Sequence, residues 1–498
     1  MKYWPSSIVI VGGGTAGWLA AIVLASEAKR MNRHYDITVV ESSDLGTVGV
    51  GEGTTSVFRH LLTHFKLDEF DFLRETGATI KLGIRHKDWR RLGHHYDGPL
   101  DVPEMLTGPG LDLYSVSAGK AVTDSHLFQH LINFNRAPFA YKENRLIPAG
   151  PFHHAYHFDQ VKAGAWLRRQ AKDIKLIDDQ VKAVKTGPFG IEVVTLASGK
   201  ELSADLFLDC TGFRRVLIKE LGAEWLPYGD VLPVNRAMPF WLELEDGEEI
   251  PPVTLAWAQK NGWLWQIPTQ QRYGCGYVYS DNHISPEEAK AEIETVLGRK
   301  IEPRNDIKIN AGRLNHAWIE NCVALGLSSA FLEPLEATSI HGTIVQLLML
   351  SALLEKGSFA GRNQYNQAVA RQVDDFRDFI RLHYVSERRD STFWQDVAET
   401  HPKTVTDWLE FCETRVPQQA DFPAFPLGLP HVGAELYLPI LDGLGLLDKA
   451  AAKSMLADQP KLRAVARKTQ EQLVQEYRAA STKCIPHRTF LSSLAQSR

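Results

Sequence analysis

The feature that most constrains the fold is an apolar run that ends in a cluster of glycines near the start of the chain. Residues 8–11 are all apolar, and Gly12, Gly13, Gly14, Thr15, Ala16 and Gly17 follow them. A helical stretch rich in alanine and leucine comes next. A second apolar run then ends at the acidic Glu41, about two dozen positions after Gly17. This order predicts a strand, a tight turn, a helix and a second strand.

Such an arrangement is the fingerprint of a dinucleotide-binding βαβ unit. In that unit Gly12 makes the turn, Gly14 admits a pyrophosphate, and Gly17 lets the helix approach the strand. Glu41 would accept hydrogen bonds from a ribose hydroxyl. A lone glycine motif is a weak signal, but here strand, glycines, helix and terminal acid occur in register. We therefore predict a dinucleotide site that includes Thr15 and Ala16 of the same turn.

Length, charge and cysteine content limit the class of protein. A chain of 498 residues predicts two or three domains. The formal net charge of −5 makes nucleic acid an unexpected partner. The five cysteines form no CxxC pair, and no histidine cluster has a carboxylate at metal-ligand spacing, so no metal site is predicted. The absence of a signal-like segment and of a membrane-length apolar run predicts a cytoplasmic protein without a membrane partner.

Two later segments favour FAD over NAD as the dinucleotide. Asp159 precedes a helix-like stretch, and short strands follow it up to an apolar run that closes on Asp209, then on a threonine and Gly212. This ending resembles the second flavin-contact segment of glutathione-reductase-like FAD enzymes. A sheet edge with a glycine turn is the structural alternative. A third strand that breaks at Gly326 would return to the same sheet and favours FAD further.

Three other features carry candidate chemistry. Lys81 lies in an apolar stretch between glycines, where burial would lower its pKa, although a lysine that reaches solvent from a strand is the commoner case. Trp263, Trp265 and Ile267 alternate along a strand that Pro268 ends, so they share one face, either as core or as a rigid wall. Glu336 precedes a helix start near Thr338, where free backbone amides favour an anion.

These motifs together resemble those of the flavin-dependent tryptophan halogenase family. The resemblance rests on the glycine turn, on Gly49-Val50-Gly51-Glu52, on Lys81, on the WxWxIP sequence of residues 263–268, and on the FLEPLE sequence of residues 331–336. It extends from the N-terminus to about residue 350. The WxWxIP element is the mark that separates these halogenases from flavin monooxygenases.

The resemblance implies a reaction and its participants. A separate NAD(P)H-dependent reductase would supply FADH2, and O2 and bromide or chloride would yield hypohalous acid. This oxidant would travel through a tunnel to Lys81, which hydrogen-bonds it or becomes a haloamine. Glu336 would stabilise the cationic ring intermediate or accept its proton. Trp263 and Trp265 would keep an aromatic substrate, such as an indole, away from the flavin.

The resemblance also assigns binding residues. The halide would bind the backbone at Thr338 and Ser339. The cofactor would contact the glycine turn and Glu41, and in addition Gly49, Val50, Gly51, Glu52, Asp209, Gly212, Gly326 and Leu335. No metal is implied, and a homodimer is compatible with the family.

Two departures from the family pattern bear on the substrate. Ala337 replaces the serine that usually follows the catalytic glutamate and is thought to link the flavin and substrate sites. Residues 422–447 offer His431, Glu435 and Tyr437 as the obvious polar anchors, with no match to the clamp that holds free tryptophan. We therefore expect an electron-rich aromatic other than free tryptophan. Alternatives that share the fold are an aromatic monooxygenase and a noncatalytic flavin-binding redox sensor.

The predicted architecture is α/β, with a glutathione-reductase-like FAD-binding fold, a substrate-facing β layer and a helical C-terminal cap. We place the FAD-binding halogenase module at residues 1–350 and the cap at residues 351–498. The helical spacing of charged and apolar residues in 361–415 and 446–481 favours the cap over a second sheet.

Overall fold

The computed structural model describes residues 4–45, 51–356 and 361–496 of the chain. Two of the residues predicted to contact the cofactor, Gly49 and Val50, lie outside the described residues.

Sixteen α-helices and twenty-four β-strands are assigned within the described residues. The helices are α1 Thr15–Arg30, α2 Ser56–His64, α3 Glu69–Thr76, α4 Glu104–Thr107, α5 Leu111–Ala118, α6 Leu127–Asn133, α7 Gln160–Gln170, α8 Pro286–Leu297, α9 Thr338–Glu355, α10 Arg362–Leu382, α11 Thr392–Glu399, α12 Lys403–Thr414, α13 Ala434–Leu444, α14 Lys449–Ala457, α15 Pro460–Lys483 and α16 His487–Gln496.

The strands are β1 Ser7–Val11, β2 Asp36–Glu41, β3 Glu52–Gly53, β4 Thr79–Lys81, β5 Gly83–Lys87, β6 His95–Pro99, β7 Phe139–Lys142, β8 Arg145–Pro148, β9 Ala155–Phe158, β10 Lys175–Asp178, β11 Val181–Gly187, β12 Gly190–Leu196, β13 Glu201–Leu202, β14 Leu206–Asp209, β15 Trp225–Pro227, β16 Arg236–Glu243, β17 Val253–Ala258, β18 Gly262–Pro268, β19 Arg272–Tyr279, β20 Ile307–Lys308, β21 Gly312–Leu314, β22 Trp318–Ile319, β23 Cys322–Ala324 and β24 Ala330–Phe331.

The first large sheet carries the glycine turn. Its strand order is β10-β2-β1-β14-β23-β22, and every neighbouring pair from β10 to β23 is parallel. The apolar side chains of β1 and β14 are buried on both faces, as in parallel sheets covered by helices. The predicted strand, turn, helix and second strand are therefore confirmed as β1, α1 and β2. The later run that closes on Asp209 is β14, paired directly with β1.

The second large sheet carries the WxWxIP sequence. Its order is β20-β16-β19-β18-β17-β5-β6, and only the pair β5–β17 is parallel. A three-stranded sheet, β3-β9-β4, places Glu52 on one edge strand and Lys81 on the other, both paired with β9. The three-stranded sheet thus joins segments that are distant in sequence.

Helices account for most of the structure after residue 361, and the predicted α/β class with a helical C-terminal region is confirmed. The division at residue 350 stays a prediction. Helix α9 is apolar around most of its circumference because it is buried in the core, with Val345, Leu347 and Leu350 completely covered. It alone among the described helices is long and apolar enough to cross a membrane, and 67% of it is buried inside the protein.

Candidate active site

Two glycines of the turn lie where a side chain would clash with packed backbone, and a third lies beside open space. A Cβ on Gly12, whose φ is +114°, would lie 2.2 Å from the Cys210 carbonyl oxygen. A Cβ on Gly17 would lie 1.9 Å from the Gly12 carbonyl oxygen. A Cβ on Gly14 would meet nothing within 4 Å. Gly12 and Gly17 therefore permit close packing, whereas Gly14 leaves space for a ligand, as predicted for a pyrophosphate.

The start of α1 offers unsatisfied donors beside that space. Gly14 caps the helix without a side-chain hydrogen bond, and no acidic residue stands in the first turn. The buried hydroxyl of Thr15 also has no partner. Free amides at a helix N-terminus suit a phosphate, so this end of α1 fits the predicted cofactor.

Glu41 lies at the end of β2 directly beside the turn. Its Oε2 accepts a 3.3 Å bond from the Trp18 indole, and its Oε1 accepts a 2.7 Å bond from Arg168. A Cβ on Gly13 would lie 1.9 Å from Oε2, which shows how closely the carboxylate approaches the turn. The place suits a ribose contact, and that role stays a prediction.

The carboxylate of Asp209 accepts hydrogen bonds from the loop that follows it and from Ser328. Its Oδ1 accepts bonds from the Thr211 amide, the Thr211 hydroxyl and the Ser328 hydroxyl, and its Oδ2 accepts bonds from the amides of Leu217 and Ile218. These five bonds satisfy both carboxylate oxygens. Asp209 would therefore serve a cofactor by holding the loop that contains Gly212, a residue in the left-handed region with a φ of +63°.

A small pocket opens between the Gly326 turn and the start of α9. Gly326 has a φ of +60°, and a Cβ there would lie 3.0 Å from the Ala16 Cβ, so the pocket adjoins the glycine turn. Its lining includes Leu332, Thr338, Ser339, Gln346 and Gln372. The buried side-chain amides of Gln346 and Gln372 retain atoms without a protein hydrogen-bond partner.

Glu52 adds another unsatisfied group. Its Oε2 has no hydrogen-bond partner, and burial raises its pKa to about 7. Buried polar atoms in native proteins are nearly always satisfied, so these groups point to a polar ligand. The described residues therefore fit an FAD that lies across the glycine turn, the Gly326 turn and the strand that carries Glu52.

The start of α9 leaves its first amides free. Ala337 caps the helix in the left-handed region, with φ +53° and ψ 35°, and no side chain bonds to the first turn. Such a conformation costs an alanine about 1–2 kcal/mol. Thr338 and Ser339 therefore present backbone donors, as predicted for a halide site. Leu335, which precedes them, is buried.

Lys81 is buried at the end of β4, with 1% of its surface exposed. Desolvation lowers the pKa of its amine to about 8, and the negative charge of Glu336 opposes this shift. Among the described residues, Lys81 forms no direct ion pair with a carboxylate. A Cβ on Gly53 would lie 3.2 Å from Lys81 Nζ, so the glycine gives the amine room. The snorkelling alternative is excluded because the amine does not reach solvent.

Glu336 is held by two histidines. His383 Nε2 lies 3.0 Å from Glu336 Oε1, at hydrogen-bond distance, and His86 Nε2 lies 3.4 Å from the same oxygen. Burial alone would raise the pKa of Glu336, but these contacts outweigh it and lower the pKa to about 2. Glu336 is therefore a carboxylate at neutral pH, close enough to Lys81 to influence its charge.

The two indoles of WxWxIP share one face, as the alternation predicts. The ring centroids of Trp263 and Trp265 are 6.3 Å apart. Trp265 lies over Gly276 of β19, where a Cβ would be 2.0 Å from the indole ring. Ile267 lies against Gly51, since a Cβ on that glycine would be 3.5 Å from its Cγ2. The strand ends at Pro268, whose carbonyl accepts a 2.6 Å bond from the hydroxyl of Thr79 on β4.

Sequence reasoning assigned no role to Glu333, the first glutamate of FLEPLE. Its Oε2 accepts a 2.7 Å bond from the Trp263 indole and a 2.6 Å bond from the Tyr384 hydroxyl. Burial raises the pKa of Glu333 to about 7, and the two bonds limit the rise. Glu333 thus connects the strand face formed by Trp263 and Trp265 to the segment that carries Glu336. The two glutamates of FLEPLE stand in an otherwise apolar segment, and this is the one sequence signal that could have pointed to Glu333.

Replacement of Glu333 by glutamine is expected to flatten the dependence of stability on pH. The carboxyl has a pKa near 4.5 when unfolded and about 7 when folded, so it stabilises the wild type below pH 4.5 and loses that contribution as pH rises through 7. The change amounts to about 3 kcal/mol at most, and glutamine keeps an acceptor for Trp263. Thermal unfolding between pH 5 and 8 measures it. Equal pH dependence in both proteins would contradict the assigned burial, and Glu355→Gln, at the exposed end of α9, is the matched control.

A polar cleft lies on the far side of the residues that contact Glu336. Tyr96 stacks on His86 with ring planes 12° apart and centroids 4.8 Å apart. Tyr96 also lines the cleft, together with Asp97, Lys120, Asp442 and Lys449. The Tyr96 and His86 rings therefore separate Glu336 from this opening.

Comparison with known proteins places these features in a family. Residues 7–425 match the family model for tryptophan halogenase. The tryptophan 6-halogenase SttH of Streptomyces toxytricini is 34% identical, and the match covers 92% of each chain. Its name, like that of the family, agrees with the resemblance in the motifs.

Solved structures agree along the whole chain. A tryptophan halogenase from Shewanella frigidimarina has a TM-score of 0.91 at 27% identity and covers 100% of this chain and 99% of its own. BrvH, a flavin-dependent halogenase from Brevundimonas sp. BAL3, has a TM-score of 0.83 at 32% identity and covers 98% of this chain and 99% of its own. The predicted fold class is confirmed by these likenesses. The chain belongs to the tryptophan halogenase family and is a flavin-dependent halogenase.

Proposed function

We propose that the chain uses FADH2, O2 and bromide or chloride to make hypohalous acid, and that it halogenates an electron-rich aromatic ring at a site formed by Lys81 and Glu336. A separate NAD(P)H-dependent flavin reductase would supply the FADH2 by transient or diffusive contact. The observation that carries the proposal is the buried pair itself. Burial lowers the pKa of the Lys81 amine to about 8, and the carboxylate of Glu336, whose own pKa is lowered to about 2, opposes that shift.

Reduced flavin, when bound, would supply the electrons that activate O2 for oxidation of the halide. The glycine turn, the Gly326 turn and Glu52 would hold the cofactor. The free amides at Thr338 and Ser339 would hold the halide one helical turn from Glu336. Trp263 and Trp265, fixed by Glu333 and Gly276, would keep an aromatic ring apart from the cofactor.

Lys81 would hold hypohalous acid through a hydrogen bond from its ammonium group. At one pH unit below a pKa of about 8, roughly nine molecules in ten carry that proton. Glu336 would face the positive charge that develops on the ring when the halogen adds. Its pKa of about 2 makes it a weak base, but a protonated ring is a far stronger acid and would still transfer its proton to the carboxylate.

The contacts of the C-terminal anchors support a substrate other than free tryptophan. His431 is bonded to Asp375 at 2.7 Å. Tyr437 packs against Phe379, Trp408 and Phe422 with centroids 4.8–5.1 Å apart. His431 Nε2 and the Tyr437 ring are thus engaged within the protein, which disfavours these two anchors as a clamp for the ammonium and carboxylate of an amino acid. An indole, a phenol or an aromatic side chain of a larger molecule is the proposed class.

The test is mass spectrometry of products formed from bromide, FAD, NADH, a flavin reductase and a panel of indole, phenol and free tryptophan. We expect brominated indole to form at least about ten times faster than brominated tryptophan, a difference of about 1.4 kcal/mol in transition-state binding. Efficient bromination of free tryptophan alone would refute the substrate class. Hydroxylated products without bromine would instead indicate an aromatic monooxygenase.

A further inference from the structure

The two histidines that contact Glu336 and orient its carboxylate also form, with it, the donor set of a metal site. His86 Nε2, Glu336 Oε1 and His383 Nε2 all lie within 4.8 Å of one another. Two imidazole nitrogens and a carboxylate oxygen are a common ligand set for divalent transition metals. These three residues come from β5, the turn before α9, and the residue after α10.

His86 supplies an observation independent of the distances. Its ring is completely buried and stacked on Tyr96, so its orientation is fixed. Neither ring nitrogen makes a hydrogen bond, although Nε2 points toward Glu336 at 3.4 Å. A buried polar atom without a partner costs about 1–3 kcal/mol, which a ligand at Nε2 would recover.

His383 is oriented as metal-bound histidines usually are. Its Nδ1 donates a 2.9 Å hydrogen bond to the Phe379 carbonyl oxygen. The other nitrogen, Nε2, is thereby directed at Glu336 Oε1. A hydrogen bond from the second nitrogen to a backbone carbonyl fixes the ring and its tautomer in most histidine–metal sites.

The separations suit a small ion. Ligand atoms about 2.0–2.2 Å from a zinc ion stand about 3.3 Å apart in a tetrahedron. The distances of 3.0 Å and 3.4 Å from Glu336 Oε1 match this spacing, and the two histidine ligand atoms lie within 4.8 Å of each other. A tetrahedral ion held by these three residues would take a fourth ligand such as water.

We propose that His86, Glu336 and His383 bind a divalent transition metal ion, with Zn²⁺ as the probe, and that this ion inhibits halogenation because it occupies the Glu336 carboxylate. The binding itself is independent of the proposed function. Only the inhibition rests on the role of Glu336 given above.

Binding is tested by titration of the purified full chain with Co²⁺, followed by displacement with Zn²⁺. We expect one equivalent of Co²⁺ to give intense visible absorption bands of a four- or five-coordinate ion, which Zn²⁺ abolishes. The variants His86→Phe and His383→Gln should each weaken Zn²⁺ binding at least about 100-fold, since even loss of an outer-shell partner costs 10–100-fold. Far-UV circular dichroism and thermal unfolding establish that each variant is folded.

A surface site is the matched control. The rings of His60 and His153 lie 3.9 Å apart, away from Glu336, and His60 is exposed. His60→Gln should leave the Zn²⁺ affinity unchanged, and loss of binding in this variant would overturn the proposal. Wild-type Co²⁺ spectra typical of a hexa-aqua ion would also overturn it, even if a variant failed to fold.

Inhibition is measured with chemically reduced FAD, so that the zinc sensitivity of a reductase does not enter. At ten times its dissociation constant, Zn²⁺ should lower the wild-type rate about tenfold. His86→Phe should keep its own zinc-free rate under the same conditions. If Zn²⁺ binds but the zinc-free protein does not halogenate, the metal site is supported and the proposed function is refuted.

Discussion

Lys81→Met is expected to reduce bromination of indole by at least about 1000-fold. Methionine has a similar length and suits an apolar, buried position, so the fold should persist. What the substitution removes is the amine that would hold hypohalous acid next to Glu336. The rate of product formation, measured by mass spectrometry with excess reductase and bromide, reports the loss.

Two controls give this result its meaning. Lys162→Met removes a half-buried lysine that bonds to Gln271 and should leave bromination unchanged. The consumption of O2 should stay the same in Lys81→Met, because the halide and flavin sites are intact. Equal bromination by Lys81→Met and the wild type would mean that free hypohalous acid reacts in solution, and the role of Lys81 would be rejected.

The pH dependence of the wild-type rate distinguishes the two roles of Lys81. Burial lowers the pKa of the amine to about 8, and the carboxylate of Glu336 favours its protonated form. If the ammonium group is the working donor, the rate falls as pH rises through about 8. A rate that rises over the same interval would instead indicate the neutral amine as a nucleophile and a haloamine as the intermediate.

Local patterns were enough to predict the nucleotide-binding half of the fold. The period of the side chains and the glycines at fixed offsets define β1, α1 and β2, because their contacts lie within about thirty residues. The alternation of side chains along a strand likewise placed Trp263 and Trp265 on one face. Helix α9 was recognisable by its apolar length, and it begins at Thr338, where the sequence predicted a helix start.

The candidate site could not be derived in this way. Lys81 and Glu336 were paired through the resemblance to a family and not through spacing. His86 reaches Glu336 only because β5 joins the sheet beside β17, and His383 only because α10 ends there. Such proximity depends on contacts between segments that are far apart in the chain. Spacing rules for metal ligands consider only residues close together along the chain, so they could not identify this site.

Asp209 is a residue whose position was predicted but whose hydrogen bonds were not. The sequence pattern placed it correctly at the end of a strand beside the glycine turn. It gave no information on the partners of the carboxylate, which are the amides and hydroxyls of the following loop and of Ser328. A motif predicts the position of a residue along the fold, whereas its hydrogen bonds depend on how the adjoining turns close.

Ala337 links the backbone at this site to its chemistry. A serine at this position would add a hydroxyl to the helix start, and alanine leaves only the left-handed backbone turn between Glu336 and Thr338. Orientation of Glu336 must then come from the side chains around it. His383 and His86 are placed to supply that orientation, which makes the carboxylate depend on residues outside its own motif.

Glu336→Gln is the second substitution with a large expected effect, about 100- to 1000-fold on the rate of bromination. Glutamine keeps the shape of the side chain and an oxygen that can accept a bond from His383. It removes the negative charge that faces the developing positive charge of the ring. Mass spectrometry under saturating halide measures the rate, and Glu355→Gln at the exposed end of α9, the helix that follows Glu336, is the matched control.

A second measurement separates an electrostatic role of Glu336 from a purely structural one. The carboxylate raises the pKa of Lys81 against the effect of burial, so its loss should lower that pKa below about 8. The descending limb of the pH–rate profile should therefore move to lower pH in Glu336→Gln. The double variant with Lys81→Met should lose less than the two single effects combined, because the residues act on one intermediate. An unshifted profile together with additive losses would show that Glu336 and Lys81 work independently, and the proposed pair would be wrong.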